Sequence, residues 1–467
     1  MTRKTPVYVV GLDAADHELI ERWADHMPAL TRLKANGMYS ILDSTARVCS
    51  GSAWPSIVTG CDPSMCGVYS RYQIENGTYN VHRVKAEDNL IEPFWASLKA
   101  KSVVIDAPKA PLLQTFENAQ IVEWGAYDHY SRFCATPDSL AHELITEFGE
   151  HPFMPNDFEV KLNKRRDFSE LHTLLIDGIL KKQKLNLSLV KKLNPDLFVS
   201  VFGETHAAGH ALWRFQDKRH PLYDADDSMR DALRKIYIAI DQVIDEFNQT
   251  LPEDSVLVIL SSHGFELDSM AGEDFLSDLL IKIGISVPRH PQPRYAPYVP
   301  GLTLDMARTK AFCLPTDLQG YIRINIEGRE PNGIVLPEHY KSVCQKIEDD
   351  LMSFSHRNSG KPLVKEVARL HDIFDGAFAS ALPDLSVIWN TDQIATEVSS
   401  QRYGVVQQQP DLSTGGGNHH GVGWILVHGP GVGGARVNGH VLDVAPTIAR
   451  LLGEEPRDHW QGSSLIA

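Results

Sequence analysis

Cysteines, long apolar runs and positive charges are all scarce in this sequence, and each shortage excludes a class of protein. Six cysteines lie irregularly along 467 residues without a CxxC pair, which disfavours a zinc ribbon or a disulfide framework and favours free thiols. No apolar run approaches the roughly 18 residues that a membrane helix needs. Residues 1–10 lack the basic start, apolar run and small-residue cleavage site of a secretory signal. We therefore expect a soluble cytoplasmic protein with no membrane partner.

Basic residues are outnumbered, with 45 Lys and Arg against 60 Asp and Glu and a formal net charge of −15. A protein of this charge repels polyanions, so long nucleic acid is not an expected partner. Internal repeats and low-complexity segments are also missing, which excludes a solenoid or a fibre. With 43% hydrophobic residues the chain has ample material for a globular core. No periodic signal indicates an oligomeric state.

Short β-branched runs alternate along the chain with longer amphipathic stretches. This alternation predicts an α/β fold, a largely parallel sheet with helices on both faces. The predicted strands are residues 7–11, 102–106, 120–123, 196–202, 255–260, 385–389 and 424–427. Residues 174–193 and 229–247 are predicted helices, and the second has apolar residues at helical spacing on one face.

The alternation breaks after Phe265. Residues 266–371 contain a proline-rich segment, a strand-like stretch at 321–326 and a helical stretch at 338–354. We interpret this segment as an inserted, smaller α+β subdomain that covers the core as a cap or lid. The core itself is then discontinuous, formed by residues 1–265 and 372–467, with its sheet resuming at Leu385.

Side chains able to bind metals follow several of the predicted strands. These side chains are Asp13, Glu204, His206, His210, Ser262, His263, His419 and His420. In an open parallel sheet, ligands bind beyond the carboxyl ends of the strands, where such side chains converge. A single histidine is more often a structural residue, but three histidine-bearing segments in these positions predict one metal centre. Imidazoles with a carboxylate are good ligands for Zn²⁺, Mn²⁺ or Fe.

A nucleophile is available in residues 46–60, where small hydroxyl residues and glycine precede an apolar, helix-like run. A serine of this segment is the candidate, although a serine here is also explained as a helix cap. Lys109 and His129 follow two further predicted strands and are candidates for substrate contact; ordinary turn chemistry is the alternative. Glu204 is a third candidate for the substrate-binding group.

Several of these motifs together resemble one family. They are Gly11-Leu12-Asp13, Val58-Thr59-Gly60 with the serine segment before it, Ser262-His263-Gly264, His419, Gly429-Pro430-Gly431-Val432 and residues 442–448. In this combination and order the chain is similar to the alkaline phosphatase superfamily, in particular to its type I phosphodiesterase/nucleotide pyrophosphatase branch. The resemblance covers about residues 5–265 and 383–465, the whole sheet-forming part.

The resemblance implies a site for two metal ions and a covalent phospho-enzyme intermediate. The nucleophile of the family falls on Ser50, with Ser52 as the alternative. One ion would be held by Asp13, His263 and the oxygen of Ser50. The other would be held by His206, His210 and His419, with His420 as an alternative to His419.

Two positions depart from the family pattern. Ser262 stands where the family has the aspartate of Asp-His-Gly, and His206 stands where it has an aspartate four residues before the next ligand. The loss of two carboxylates leaves the number of ions open at one or two, and Glu204 could substitute for one of them. Zinc is the first choice of metal, with manganese or iron as alternatives.

The function implied is metal-dependent hydrolysis of a small phosphodiester or related phosphoester through a phospho-enzyme on Ser50. A phosphomonoesterase, a phosphonate hydrolase and a phosphotransferase of the same superfamily are alternatives. A member that binds a metal or an anion without turnover is the alternative from another class. A formylglycine sulfatase is disfavoured, because residues 49–53 lack the proline and arginine of C/S-x-P-x-R.

Overall fold

The computed structural model describes residues 5–113, 119–126, 132–153, 167–290, 299–315, 318–432 and 438–466. His129 lies outside the described residues. The main element is a nine-stranded sheet, whose strands in spatial order are Asn438–His440, Met38–Asp43, Val422–His428, Val256–Ser261, Val7–Leu12, Leu197–Phe202, Ser102–Ile105, Ala119–Val122 and Cys134–Thr136. The predicted α/β fold with a largely parallel sheet is confirmed.

Five neighbouring strands in the middle of this sheet are parallel, from Val256–Ser261 to Ala119–Val122. Their carboxyl ends therefore open onto the same edge. The Val7–Leu12 strand is buried along its whole length, as expected for a strand covered by helices on both faces. Val422–His428 is antiparallel to both of its neighbours.

Helices cover both faces of the sheet. In chain order they are His17–Arg22, Pro28–Asn36, Ala53–Thr59, Pro63–Cys66, Asp138–Phe148, Phe168–Leu193, Glu204–Leu212, Ala232–Thr250 and Val444–Leu451. Two separate apolar clusters, one on each face, form the main core. The apolar stripe predicted for residues 229–247 is buried in one of them, on the Ala232–Thr250 helix.

A smaller unit with its own apolar core lies between the main strands in the sequence. Its four-stranded antiparallel sheet has the order Ala311–Leu314, Gly320–Ile324, Leu385–Trp389 and Val364–Arg369. A three-stranded sheet, Ser355–His356, Glu397–Ser400 and Gly404–Gln407, adjoins it. Its helices are Glu273–Lys282, Pro300–Thr303, Tyr340–Met352 and Leu370–Ile373.

The prediction that the main sheet resumes at Leu385 is wrong. Leu385–Trp389 pairs with the smaller unit's strands, and the main sheet resumes at Val422–His428. A short apolar strand satisfies either sheet equally well, and only the pairing of distant residues decides between them. The division into a discontinuous core and a cap of residues 266–371 stays a prediction.

A two-stranded antiparallel sheet brings together two segments that are distant in the sequence. Gly264–Leu267 pairs antiparallel with Gly417–His420, and Phe265 stands opposite His419. A short hairpin joins Tyr72–Ile74 and Val81–Arg83. Within the described residues, no helix has both the length and the apolarity needed to cross a membrane. The six cysteines, all in described segments, are free thiols.

Candidate active site

Asp13 lies directly beyond the Val7–Leu12 strand and is almost fully buried. Its Oδ1 accepts a hydrogen bond of 2.6 Å from Nε1 of Trp54, and its Oδ2 lies 2.8 Å from Nδ1 of His206. Burial alone would favour the protonated acid, but the charge and hydrogen bond of His206 lower the pKa of Asp13 to about 2. Asp13 is therefore a carboxylate that holds an imidazole and an indole in place.

His206 and His210 are one turn apart on the Glu204–Leu212 helix, and their bonding partners fix which nitrogen carries the proton. A carboxylate only accepts, so His206 donates from Nδ1 to Asp13. His210 likewise donates from Nδ1 to the carbonyl of Gly417 at 3.0 Å. When both rings are neutral, each Nε2 carries a lone pair. The two Nε2 atoms lie 3.1 Å apart, so a cation between them would turn a repulsion into two bonds.

His419, on the Gly417–His420 strand, and His263, directly before the Gly264–Leu267 strand, complete the cluster. The ring centroid of His419 lies 4.5 Å from that of His206, 4.7 Å from that of His210 and 4.3 Å from that of His263. Both ring nitrogens of His419 and Nε2 of His263 are buried without a hydrogen-bond partner. Burial and the neighbouring imidazoles lower the pKa of His263 to about 3, and burial lowers the pKa of His419 well below its usual value. Both rings are therefore neutral and able to bind a metal.

These residues form two overlapping groups in which the candidate ligand atoms lie within 4.8 Å of one another. One group is His206, His210 and His419, and the other is Asp13, His206 and His263. Three imidazoles, of which His419 has buried nitrogens without a hydrogen-bond partner, fit a divalent metal such as zinc, which accepts three protein ligands and keeps a position open. The prediction that distant segments converge on one cluster is consistent with this geometry.

Ser262 does not face these ligands with a free hydroxyl. Its Oγ lies 2.7 Å from Nδ1 of the adjacent His263, and the side chain is fully buried. At this position, where the family pattern has an aspartate, a hydroxyl orients the imidazole. This is an outer contact of a candidate ligand, of the kind that fixes the direction of the ring.

His420 follows His419 in the Gly417–His420 strand and contacts different residues. Its Nε2 lies 2.7 Å from Oδ2 of Asp16, and His17 lies close to the pair. Burial acts to lower the pKa of His420, but the hydrogen bond and charge of Asp16 outweigh it and raise that pKa. Since alternate residues of a strand point to opposite faces, His419 and His420 belong to different groups. This arrangement favours His419 as the ligand.

The segment with the candidate nucleophile lies beside this cluster. Ser50–Ser52 is a single 3₁₀ turn that leads into the Ala53–Thr59 helix, and Trp54 of that helix bonds to Asp13. Ser50 is half-buried. Ser52 is fully buried and donates to the carbonyl of Cys49 at 2.6 Å. Ser50 is thus the better placed of the two serines.

Lys109 and Gln319, which lie outside this segment, form hydrogen bonds with its backbone. Lys109 donates from Nζ to the carbonyl of Gly51 at 2.7 Å. Gln319, from the smaller unit, accepts from the amide of Ser50 at 3.3 Å and donates to the carbonyl of Ala46 at 2.8 Å. No sequence motif identifies Gln319, because it is a lone glutamine 269 positions away from Ser50.

Glu204 begins the helix of His206 and His210 but belongs to a separate buried group. Its Oε1 lies 2.9 Å from Nε2 of His151, and the charge of Lys182 acts on it. Lys182 in turn forms a buried ion pair of 2.8 Å with Asp106. These contacts direct the Glu204 carboxylate to His151 and Lys182.

Phe265 is a part of the site that the sequence analysis missed. Its ring lies against those of His206, His210 and His419, with centroids 5.8, 4.9 and 4.7 Å apart. Gly209 makes room for it, since a Cβ there would stand 2.3 Å from the Phe265 ring. The phenyl ring holds three imidazoles against one another. Its position directly after Ser262-His263-Gly264 is the signal that could have identified it.

The metal-free protein is expected to lose stability on mild acidification. His263 is protonated in the unfolded chain below its ordinary pKa of 6.5, whereas in the folded chain its pKa is about 3. The unfolded state therefore binds more protons between these values, and stability is full above pH 6.5 and falls as the pH decreases. From pH 7 to pH 5 the loss from His263 alone is about 2 kcal/mol, measurable by urea unfolding.

A matched pair of variants checks the origin of this loss. His263→Asn should reduce the difference between pH 7 and pH 5, whereas His26→Asn, at an exposed position, should leave it unchanged. Equal pH dependence in both variants would contradict the assignment to His263.

Comparisons with known proteins agree with this architecture. A family model described as type I phosphodiesterase / nucleotide pyrophosphatase matches residues 7–420. The fold is similar to that of phosphonoacetate hydrolase from Sinorhizobium meliloti 1021, in structures with phosphonoformate (13% identity) and with phosphonoacetate (14% identity). Each has a TM-score of 0.56 and covers 96% of this chain and 95% of the other. At this identity the likeness shows the fold alone. A comparison with curated protein sequences gave no match.

Proposed function

This chain belongs to the type I phosphodiesterase / nucleotide pyrophosphatase family, and on that premise we propose that it hydrolyses a small phosphodiester with Ser50 as the nucleophile. Membership of the family indicates phosphoester hydrolysis in general. The diester as substrate, the dependence on a divalent metal and the serine intermediate are the proposal. Zinc is the metal proposed first, with manganese and iron as alternatives.

One observation carries the metal dependence. Nε2 of His206 and Nε2 of His210 face each other at 3.1 Å, while the opposite nitrogen of each ring donates to an oxygen. His419 adds buried nitrogens without partners. Asp13 orients His206 from behind, as carboxylates do for metal-binding imidazoles. This set of donors fits a bound divalent ion.

The chemistry proposed for this chain divides between its residues. Ser50 Oγ attacks phosphorus, a new O–P bond forms and the bond to the leaving oxygen breaks. Water then attacks phosphorus, the Ser50 Oγ–P bond breaks, and the phosphate monoester and the serine hydroxyl are released. A divalent ion, when bound, supplies positive charge for the phosphoryl oxygens and lowers the pKa of a hydroxyl. Trp54 and Gln319 hold the nucleophile segment at the cluster.

Removal of the metal tests the proposal most directly. Protein treated with a chelator is expected to lose more than about 99% of its activity on bis(p-nitrophenyl) phosphate, because the ion stabilises the transition-state charge by several kcal/mol. Added Zn²⁺ or Mn²⁺ should restore the activity. The measurement is p-nitrophenolate release together with metal content by mass spectrometry.

The substrate class is separated by a panel assayed in parallel. p-Nitrophenyl phosphate represents monoesters and phosphonoacetate represents phosphonates. A higher kcat/KM for the diester supports the proposal, and preference for either other compound assigns the corresponding alternative. Metal binding with no turnover of any compound would contradict hydrolysis and indicate a binding protein.

Gln319→Ala is expected to lower kcat about tenfold, with little change in metal content. The amide group holds the backbone on both sides of the nucleophile turn, and losing such a hydrogen bond costs about 1–1.5 kcal/mol. Steady-state kinetics on the best ester of the panel measures the effect. Gln401→Ala, at an exposed position of the same unit, is the control. Unchanged kcat in Gln319→Ala would contradict a positioning role.

A further inference from the structure

We infer that this chain holds one divalent ion, in the His206, His210 and His419 group, and that the ammonium of Lys109 takes the place of a second ion. The inference rests on the proposed function and names the source of positive charge in the same site.

The second group of possible ligands is already occupied by hydrogen bonds. Both carboxylate oxygens of Asp13 accept, one from Trp54 and one from His206. Nδ1 of His206 bonds to Asp13, and among Asp13, His206 and His263 the nitrogen without a hydrogen-bond partner is Nε2 of His263. An ion there would compete with two buried hydrogen bonds for the oxygens of Asp13.

The residues that would strengthen such a second position are missing or engaged. Ser262 offers a hydroxyl that is bonded to His263 at 2.7 Å. A neutral hydroxyl is a much weaker ligand for a divalent ion than a carboxylate, since it brings no charge. His263 contributes one free nitrogen, Nε2. The neutral imidazole of His263 and the hydroxyl of Ser50 do not replace the charge of the missing carboxylate.

The group of His206, His210 and His419 is better suited to a metal ion than the group that contains Asp13. Its imidazoles present lone pairs with the other nitrogen of His206 and His210 tied to an oxygen. Asp13 then acts from outside, through the ring of His206. Three imidazoles around an ion with a carboxylate behind one of them make a complete site for one metal, with a position left for substrate or water.

Lys109 provides a cation beside the nucleophile segment. Its side chain is buried, with 8% exposure, and Nζ bonds to the carbonyl of Gly51, next to Ser50. The same ammonium is near enough to act electrostatically on His263 and His419. Its backbone has a φ of 60°, a left-handed conformation that costs energy in a residue with a side chain.

A buried ammonium in this position can stabilise negative charge on a bound phosphoryl group. The phosphoryl group in transit carries negative charge on its oxygens, and a positioned Lys stabilises that charge as a point cation. In a protein of net charge −15, local cations are also needed to attract an anionic substrate. Lys109 and one ion together supply the positive charge that two ions would otherwise provide.

The experiment counts ions and measures the affinity for inorganic phosphate, the product of complete hydrolysis. Chelator-treated protein is titrated with Zn²⁺ by calorimetry, and bound zinc is counted by mass spectrometry after desalting. One tight equivalent per chain is expected. Lys109→Met should keep that equivalent and bind phosphate at least tenfold more weakly, whereas Lys109→Arg should recover part of the affinity. Lys101→Met, at an exposed lysine, is the matched control.

Two tight equivalents in the unaltered protein would overturn the inference, as would phosphate affinity in Lys109→Met equal to that of the control. Circular dichroism confirms that each variant is folded, and Lys109→Arg provides a second variant if Lys109→Met is not. Turnover with two equivalents leaves the proposed function standing and removes only this inference. No bound zinc and no turnover removes the proposed function.

Discussion

Replacement of Ser50 by alanine is expected to abolish ester hydrolysis while the protein still binds its metal. Loss of the nucleophile in a covalent mechanism reduces kcat by a factor on the order of 10⁴ or more. The metal should remain, because the imidazole group of His206, His210 and His419 does not include the serine. Initial rates on bis(p-nitrophenyl) phosphate and zinc content of the same preparation measure the two properties.

Ser52→Ala is the matched control, since it removes the same hydroxyl two positions away. Ser52 is buried and donates to the carbonyl of Cys49, so its loss should reduce stability by about 1 kcal/mol and leave kcat within about threefold. A covalent phosphoserine trapped at low pH and located by mass spectrometry should lie on Ser50. Activity retained in Ser50→Ala and lost in Ser52→Ala would transfer the nucleophile to Ser52.

The convergence of the candidate ligands was predictable because it depends on a simple property of the sheet. Parallel strands open onto one edge, so Asp13, His206 and His263, which follow three neighbouring strands, had to be close. Residue types with rare chemistry marked these positions in the sequence. The outcome did not require any side-chain detail.

The supporting contacts were not predictable in this way. Trp54 and Phe265 are ordinary core residues in sequence, and only the folded chain brings an indole to Asp13 and a phenyl ring to three histidines. Gln319 reaches the nucleophile segment from the smaller unit. The partner of Leu385–Trp389 was wrongly predicted for the same reason. Pairings between distant segments leave no local pattern.

The two departures from the family pattern have a joint consequence. An imidazole at His206 needs an acceptor behind it, and Asp13 takes that part. The hydroxyl at Ser262 then serves His263 in the same way. His206 thus replaces a charged candidate ligand with a neutral one, and Ser262 replaces another with a hydroxyl that orients His263. The site thus keeps its shape while its negative charge falls, which makes a cation such as Lys109 compatible with it.

Replacement of His419 by alanine is expected to weaken zinc binding by about 10³-fold or more, beyond the 10–100-fold typical of a residue behind a ligand. The ring nitrogens of His419 are buried and unpartnered, so their removal leaves the ion with two imidazoles. Turnover should fall in parallel at limiting zinc. Competition with a chromogenic chelator measures the affinity.

His420→Ala tests the neighbouring position, which the sequence left as an alternative. Its imidazole bonds to Asp16 and lies close to His17, so zinc affinity should change by less than about tenfold, although the loss of the hydrogen bond to Asp16 lowers stability. A loss of zinc in His420→Ala that equals or exceeds the loss in His419→Ala would exchange their roles. In that case His206 and His210 would have to bind their ion together with a ring that points to the other face of the Gly417–His420 strand.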